Sequence, residues 1–370
     1  MTPSSARLAA YIALAASAAA VAHSPSAPQP PAPAPAGAAP PVAPAPVAPD
    51  EPRNPPFAAL AEGVPGLVAP GAAPDVLVEG LKFAEGPAAD AAGNVTFCDL
   101  ATSEAFRLVR DAGAWRSVRL ADSTGGMSGL VFMPGGALLG CQMRTGSLVE
   151  LVPGAGDARA LEPRSLTGAD ARAGLNDLTV DARGRVWITN MGDRRHPEWT
   201  GLWRFDPSAP ASSAIQFRTG ASRPNGVRFS PHAGGRLWVT DYLRPRAFIV
   251  ALADGEPAPG PEGRGTEVSL EPFAAGPRRG GADGLAVDAK GNAWIALPGH
   301  DRVAVVGPEG APLGWVEVPD GPSNCCFGGT DGRTLFVTTR TSVRALPTLV
   351  EGWWAARAPK GADAPAPKAP

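Results

Sequence analysis

The sequence predicts an all-β fold, a six-bladed β-propeller with an N-terminal strand closing the last blade. Three observations carry that expectation. One pattern recurs six times: a polar residue, a short apolar strand, a glycine-bearing turn, then a second strand. The copies begin at Glu85, Ser128, Asn176, Asn225, Asp283 and Asn324, spaced 43, 48, 49, 58 and 41 residues apart, which is the period of a blade. No helical periodicity runs long enough to build a helical domain. A single blade cannot bury both faces, so neighbours must stack until the ring closes.

Taken in order, residues 1–22 read as a secretory leader. Arg7 supplies a basic start, LAAYIALAASAAAVA an apolar core, and Ala20-Val21-Ala22 a small-residue cleavage site. The apolar run is short for a membrane span. The expected protein is therefore periplasmic or secreted, with no membrane insertion after cleavage. Residues 23–74 are dominated by Pro and Ala, a composition that favours extended polyproline II and cannot bury a core, so a disordered linker is expected. The propeller is assigned to 75–350 and a second disordered segment to 351–370.

The first copy, EGPAADAAGNVTFCDL (85–100), is followed by the outer strands EAFRLVRD and WRSVRLA. SGLVFMPGGALLGCQ (128–142) is followed by SLVELV, and NDLTVDARGRVWITN (176–190) by GLWRFDP and AIQFRTG. The fourth copy is NGVRFSPHAGGRLWVTD (225–241); the fifth, DGLAVDAKGNAWIAL (283–297), continues into DRVAVVGP and GWVEVPD. After the sixth, NCCFGGTDGRTLFVTT (324–339), only SVRAL (342–346) remains. DVLVEGL (75–81) is the expected missing strand, and its pairing there would leave no free sheet edge.

Four cysteines are present, at 98, 141, 325 and 326. Cys98 and Cys141 hold the same repeat position on unbonded neighbouring strands, too far apart to bridge, so buried free thiols are expected. A formal charge of −2 argues against a nucleic-acid footprint.

Equivalent positions in a closed ring converge on one axis, so the six leading side chains should meet at the mouth of a central channel. Glu85, Asn176, Asn225 and Asp283 would then form an all-oxygen site carrying two negative charges. Such a set suits a hard divalent cation, calcium ahead of magnesium or manganese, with zinc or iron as further candidates. Asn and Asp also start strands simply because they favour turns, but the matching register across repeats favours the metal site. A second ring stands where each second strand ends: Asp99, Gln142, Asn190, Asp241, Leu297 and Thr339. These residues either orient the ligands or only cap strand ends. Arg172, four residues before Asn176, is a candidate for reaching a polar substrate.

The motifs EGP at Glu85, LNDLTVD around Asn176, RPNGVRFSP around Asn225, ADGLAVDAKGNAWIA around Asp283 and PSNCCFGGTDGRTLFVTT resemble the senescence-marker-protein/gluconolactonase/regucalcin family of six-bladed propellers. The resemblance covers about 75–345. It implies a divalent cation held by Glu85, Asn225 and Asp283, with Asn176 completing the site or touching substrate, and it implies hydrolysis of a lactone, often a sugar lactone such as gluconolactone. Three departures bear on substrate rather than metal: Ala88-Ala89 replace a Trp, Asn190 stands where an Asp is common, and the loop 191–201 has no counterpart. Asn176, Arg172 and Asn190 are the substrate-binding candidates.

No G-x-S-x-G elbow, P-loop or H-E-x-x-H motif is present. His196, His232 and His300 fall outside the ring and are expected on surface loops. The expected enzyme is a metal-dependent lactonase, a carboxylic ester hydrolase, acting on a small-molecule lactone with Asp283 as general base. Attack on the substrate by Asp283 itself is a second role for the same residue. The alternative function is a non-catalytic binding module whose channel ion is structural; fold alone does not separate the two.

Overall fold

A computed structural model describes residues 63–353, apart from 112–113, 155–160, 168–171, 194, 210–213, 232–234, 254, 258–264 and 275–279. The leader, most of the linker, the segment from 354 onward and His232 lie outside the described residues.

Six antiparallel sheets follow one another along the chain. Strand β1 (Asp75–Glu79) comes first and belongs to the last of them. Blade 1 is β2 (Ala84–Ala89), β3 (Val95–Asp99), β4 (Glu104–Asp111) and β5 (Ala114–Ala121). Blade 2 is β6 (Met127–Phe132), β7 (Leu138–Gln142), β8 (Leu148–Pro153) and β9 (Leu161–Ser165). Blade 3 holds β10 (Leu175–Val180), β11 (Val186–Asn190), β12 (Gly201–Phe205) and β13 (Ile215–Phe217). In blade 4, β14 (Pro224–Ser230), β15 (Arg236–Asp241) and β16 (Arg246–Ala253) are followed by the short β17 (Glu256–Pro257) and β18 (Thr266–Ser269), both paired to β16. Blade 5 is β19 (Leu285–Val287), β20 (Ala293–Leu297), β21 (Arg302–Val306) and β22 (Pro312–Glu317). Blade 6 is β23 (Asn324–Gly328), β24 (Thr334–Thr338) and β25 (Ser342–Pro347), completed by β1.

The expected closure is present: β1 runs antiparallel to β25, with Asp75 opposite Ala345 and Glu79 opposite Ser342. Both ends of the domain therefore lie in one sheet, and the unpaired edge an open array would present is gone.

The second strands carry the bulk that fills the wedges between blades. Trp187, Trp238 and Trp294 occupy one repeat position and are fully buried. Trp187 meets Phe229 of the next blade edge-on, and Trp294 meets Phe327 in the same way. For Trp187 and Trp294 the turn before the strand supplies the indole's partner, whereas Trp238 Nε1 is buried without one. Asp181 Oδ2 accepts from Trp187 Nε1 at 3.1 Å, and Asp288 Oδ2 from Trp294 Nε1 at 3.0 Å. The same carboxylates accept backbone N–H groups of their own turns, from Arg183 and Arg185 and from Lys290 and Asn292. The D-x-x-G-x-x-W string thus writes turn and core together.

Two boundaries need correction. The linker was expected to be disordered up to residue 74, yet Val64, Leu67 and Val68 are buried in a core cluster with Trp294 and Phe327. Gly63 forms a bridge to Trp315 as well. Three apolar side chains in a Pro/Gly-rich surrounding are enough to dock where composition averaged over the segment suggested none would. At the other end, Gly352 bridges Asp288, and Trp353 packs against blades 4 and 5, so the ordered chain passes 350. All four cysteines are buried and free, as expected. Among the described residues, no helix is long and apolar enough to cross a membrane.

Candidate metal centre at the channel mouth

Glu85, Ser128, Asn176 and Asn225 are the second residues of their blades' innermost strands, Asn324 is the first of its own, Asp283 lies two residues before β19, and all six are buried. Two of them are spent on their neighbours. Ser128 Oγ donates to Asn176 O at 2.8 Å and Leu175 O at 3.2 Å, tying blade 2 to blade 3. Asn324 accepts from Cys325 N through Oδ1 and turns Nδ2 toward Glu85 Oε2 at 3.4 Å. The other four keep oxygen free. Asn225 hydrogen-bonds Asp283 through its side chain, leaving Asn225 Oδ1 and Asp283 Oδ1 buried without a partner. Asn176 gives its Nδ2 to Met191 Sδ at 3.2 Å, and its Oδ1 accepts nothing among the described residues.

Glycine makes this convergence sterically possible. In four copies the residue after the leading one is Gly86, Gly129, Gly226 or Gly284. A Cβ there would meet the next blade's leading residue: Ser128 O at 2.7 Å from Gly86, Asn176 O at 2.7 Å from Gly129, and Asp283 O at 2.7 Å from Gly226. At Gly284 it would overlap the Asn324 amide. Buried side chains do not approach backbone that closely.

A belt of hydroxyl and thiol groups holds the ring from outside. Thr240 Oγ1 accepts from Gly226 N at 2.7 Å in its own blade and donates to Asp283 O at 2.6 Å in the next. Thr189 Oγ1 likewise accepts from Asp177 N and donates to Asn225 O, and Cys141 Sγ donates to Asn176 O at 2.7 Å. These groups sit one residue before each second strand ends.

The second ring caps the loops that lead into the first. Asp99 accepts from Lys82 N and Phe83 N, and Asp241 from Ser222 N and Arg223 N, in both cases two to three residues ahead of the leading residue. Gln142 Nε2 donates to Thr124 O. Asn190 donates to Arg172 O at 3.2 Å and accepts from Gly192 N at 2.7 Å, so both ends of its amide are engaged with backbone. Arg172 sets its guanidinium over the Trp203 ring, 4.6 Å from the centroid. His196 stacks on Trp199 in the loop 191–201. His300, expected on the surface, is buried.

Electrostatics at the mouth are strained. Burial, first of all, and then the nearby Asp283 and Asp177 charges push Glu85 well above the usual carboxylate range. Burial raises Asp283 to about 8, opposed by its bond from Asn225 and reinforced by Asp177. Two confined carboxylates cannot both ionise without a counter-charge, so the bare site holds a proton at neutral pH.

Asp177 is a residue that reading the leading positions missed. It is fully buried next to Asn176, and its Oδ2 accepts from Arg228 Nη1 at 2.8 Å. The pair adds no net charge, so the site keeps the two negative charges of Glu85 and Asp283. The signal was present: Asp177 stands where four copies have glycine, and Arg228 is the sole charged residue three places after a leading residue. The positions matching Arg228 in the other blades are Ala88, Val131, Thr179, Ala286 and Phe327. Together with Arg228 they line a cavity of about 90 Å³ along the channel, where Trp353 also lies.

Among the described residues, no group of three or more His, Cys, Asp or Glu side chains is placed to hold a metal ion. The donor set is two carboxylates and two amide oxygens. Two buried oxygen atoms with lone pairs and no donor, at positions that cost about 1–3 kcal/mol each to desolvate, fit a hard cation.

The sequence profile of the SMP-30/gluconolactonase/LRE-like region matches residues 83–341. The chain belongs to that family. Within the SMP-30/gluconolactonase/LRE-like family, it is 31% identical over 190 residues to 6-deoxy-6-sulfogluconolactonase of Pseudomonas putida, spanning 50% of this chain and 60% of that one. It is 29% identical over 190 residues to gluconolactonase of Zymomonas mobilis, spanning 48% and 51%. The chain thus matches only about half to three-fifths of the length of these relatives. The crystal structure of regucalcin from Agrobacterium tumefaciens, a calcium-binding protein, shares the fold at a TM-score of 0.60 and 20% identity, over 76% of this chain and 95% of that one.

Proposed function

We propose that the protein is a metal-dependent lactonase acting on a sugar lactone, with its active centre at the channel mouth. The observation that carries this reading is the pair of partnerless buried oxygens, Asn225 Oδ1 and Asp283 Oδ1, beside a carboxylate pair that cannot ionise alone. The similarity to the two sugar lactonases supports the substrate class.

Glu85, Asn176, Asn225 and Asp283 are the proposed cation ligands, and a bound divalent cation would supply Lewis-acid polarisation of the ester carbonyl and counter-charge for the oxyanion. Asp283 acts as general base once ionised. It takes a proton from water as the water oxygen bonds to the carbonyl carbon. It returns that proton to the ring oxygen as the acyl C–O bond breaks, and a hydroxy acid leaves. The covered Asn225 amide orients the Asp283 carboxyl throughout.

The test is hydrolysis of aldonolactones, aliphatic lactones and aryl esters by the full protein, after chelation and with each divalent ion restored. Activity on sugar lactones that vanishes with chelator and returns with an ion is expected. No hydrolysis of any substrate under any ion would leave the binding-module reading in its place. Export is part of the proposal too, resting on the leader-like residues 1–22: the mature protein should begin near His23, and N-terminal sequencing that finds Met1 on a cytoplasmic species would refute it.

A further inference from the structure

Away from the channel mouth, blades 3 and 4 depart from the repeat. In blades 1 and 5 the turn between the first two strands carries Asn94 or Asn292, whose Nδ2 donates to the turn's own aspartate, Asp90 or Asp288. Blade 3 has Arg185 at this position. Its Nε takes over the bond, to Asp181 Oδ2 at 2.6 Å, and the longer side chain continues into blade 4. There Nη1 meets Glu256 Oε1 at 2.5 Å, and Nη2 donates to Gly255 O at 2.9 Å. Both acceptors belong to the hairpin that joins β16 to β17, an addition that blade 4 alone carries among the described residues.

Turn and hairpin border a cavity of about 200 Å³. Phe229, Leu252 and Trp353 give it apolar surface, and Arg183 and Arg185 give it cationic surface. The charges of Asp181 and Glu256 are matched by Arg185 and Arg204. Arg183 is different. The turn fixes its backbone, with its N–H on Asp181 Oδ1 at 2.9 Å and Gly184 N on Asp181 O at 3.0 Å. Its guanidinium carbon lies 3.9 Å from where a Cβ on Gly255 would stand, yet it forms no ion pair among the described residues. Ser230 lines the same cavity, and its buried hydroxyl has no partner. Apolar surface and one unmatched positive charge thus share a single cavity.

We propose that this cavity is a second binding site, for a small organic carboxylate with an aromatic or branched apolar body. Arg183 pairs the carboxylate through two parallel N–H bonds, while Phe229, Leu252 and Trp353 cover the body. The size agrees, since an apolar cavity of about 150 Å³ already accepts benzene. An inorganic anion would leave the apolar surface wet, and a neutral aromatic would leave the guanidinium without a partner. The site is separate from the channel mouth, because Asn176 is the second residue of β10 whereas Asp181 follows its last. It does not rest on the lactonase reading.

The test is calorimetric titration of the full, chelator-treated protein with benzoate, benzyl alcohol and acetate. These probes carry both features, the apolar body alone, and the charge alone. Benzoate should bind saturably at one site, about 10-fold or more tighter than either of the others. Arg183→Gln, at an exposed turn position, should weaken benzoate about 10-fold and leave benzyl alcohol unchanged. Asp283→Asn at the mouth should leave benzoate binding as it is. No saturable binding of benzoate, equal affinity for all three probes, or wild-type binding by the Arg183→Gln protein overturns the site. Benzoate binding lost in the Asp283→Asn protein would put the ligand at the mouth and overturn it too. No substrate turns over in these titrations, so failure here leaves the lactone assay untouched, and failure there leaves this site standing.

Discussion

Asn225 gives its side-chain hydrogen bond to Asp283 and holds its own Oδ1 beside it without a partner. The two residues are thus unequal in function although they are symmetric in the repeat. Asp283→Asn should weaken cation binding and also lower turnover about 10²–10⁴-fold at saturating cation, because the base is lost. Asn225→Asp should keep or tighten cation binding while slowing turnover, since a third carboxylate makes the bound ion a weaker Lewis acid. Lactone hydrolysis across an ion titration measures both. Full recovery of the Asp283→Asn protein with excess ion would make Asp283 a ligand only.

The raised carboxyl groups predict a particular pH response. Native Asp283 keeps its proton up to about 8, whereas in the unfolded chain it ionises near the ordinary value of about 4. The folded state then binds more protons between those limits, so the stability of chelator-treated protein falls as pH rises from about 4 to about 8. Cation affinity rises over the same window, and binding releases protons. Denaturant melts at several pH values with and without cation check this. A flat profile for the chelated protein would show that neither carboxyl is protonated natively.

Gly284→Ala should damage the site without touching a ligand. The new methyl overlaps the Asn324 amide, which must leave Glu85. A cost of about 1–3 kcal/mol is expected, as for other overpacked sites, along with an activity loss greater than that of Gly307→Ala. Gly307 has no neighbour closer than 3.6 Å to such a methyl, and denaturation with parallel assays compares the two.

The buried Asp177–Arg228 pair calls for a double-mutant cycle. Arg228→Met alone leaves a buried carboxylate unpaired and should cost about 3–5 kcal/mol, whereas adding Asp177→Asn should return much of that loss. Additive effects in chemical denaturation would mean that the two groups act independently.

Much of this was legible because a repeat gives each position its meaning by comparison with five others. The blades, the closing strand and the leading residues all follow from register alone. What stayed hidden were features that break the repeat or act between copies. Asp177 and Arg228 are single-copy exceptions in neighbouring blades, and their meaning lies in the pairing. The glycines looked like turn formers, although at Gly226 and Gly284 the demand comes from the next blade's side. Val64, Leu67 and Val68 were lost in a Pro-rich average.

The closing sheet has a consequence for how the molecule comes into being. Strands β1 and β25 are the first and last of the domain, and the contact from Asn324 to Glu85 spans 239 residues. Blades 1 to 5 can assemble in sequence as the chain emerges, but the sixth waits for both ends. Closing so long a segment is slow and is rewarded only at completion. The channel mouth is therefore the last part to mature. A chain cut short before Asn324 would lack both the seal and the support beneath Glu85, so competence at the site certifies that the last blade has been made.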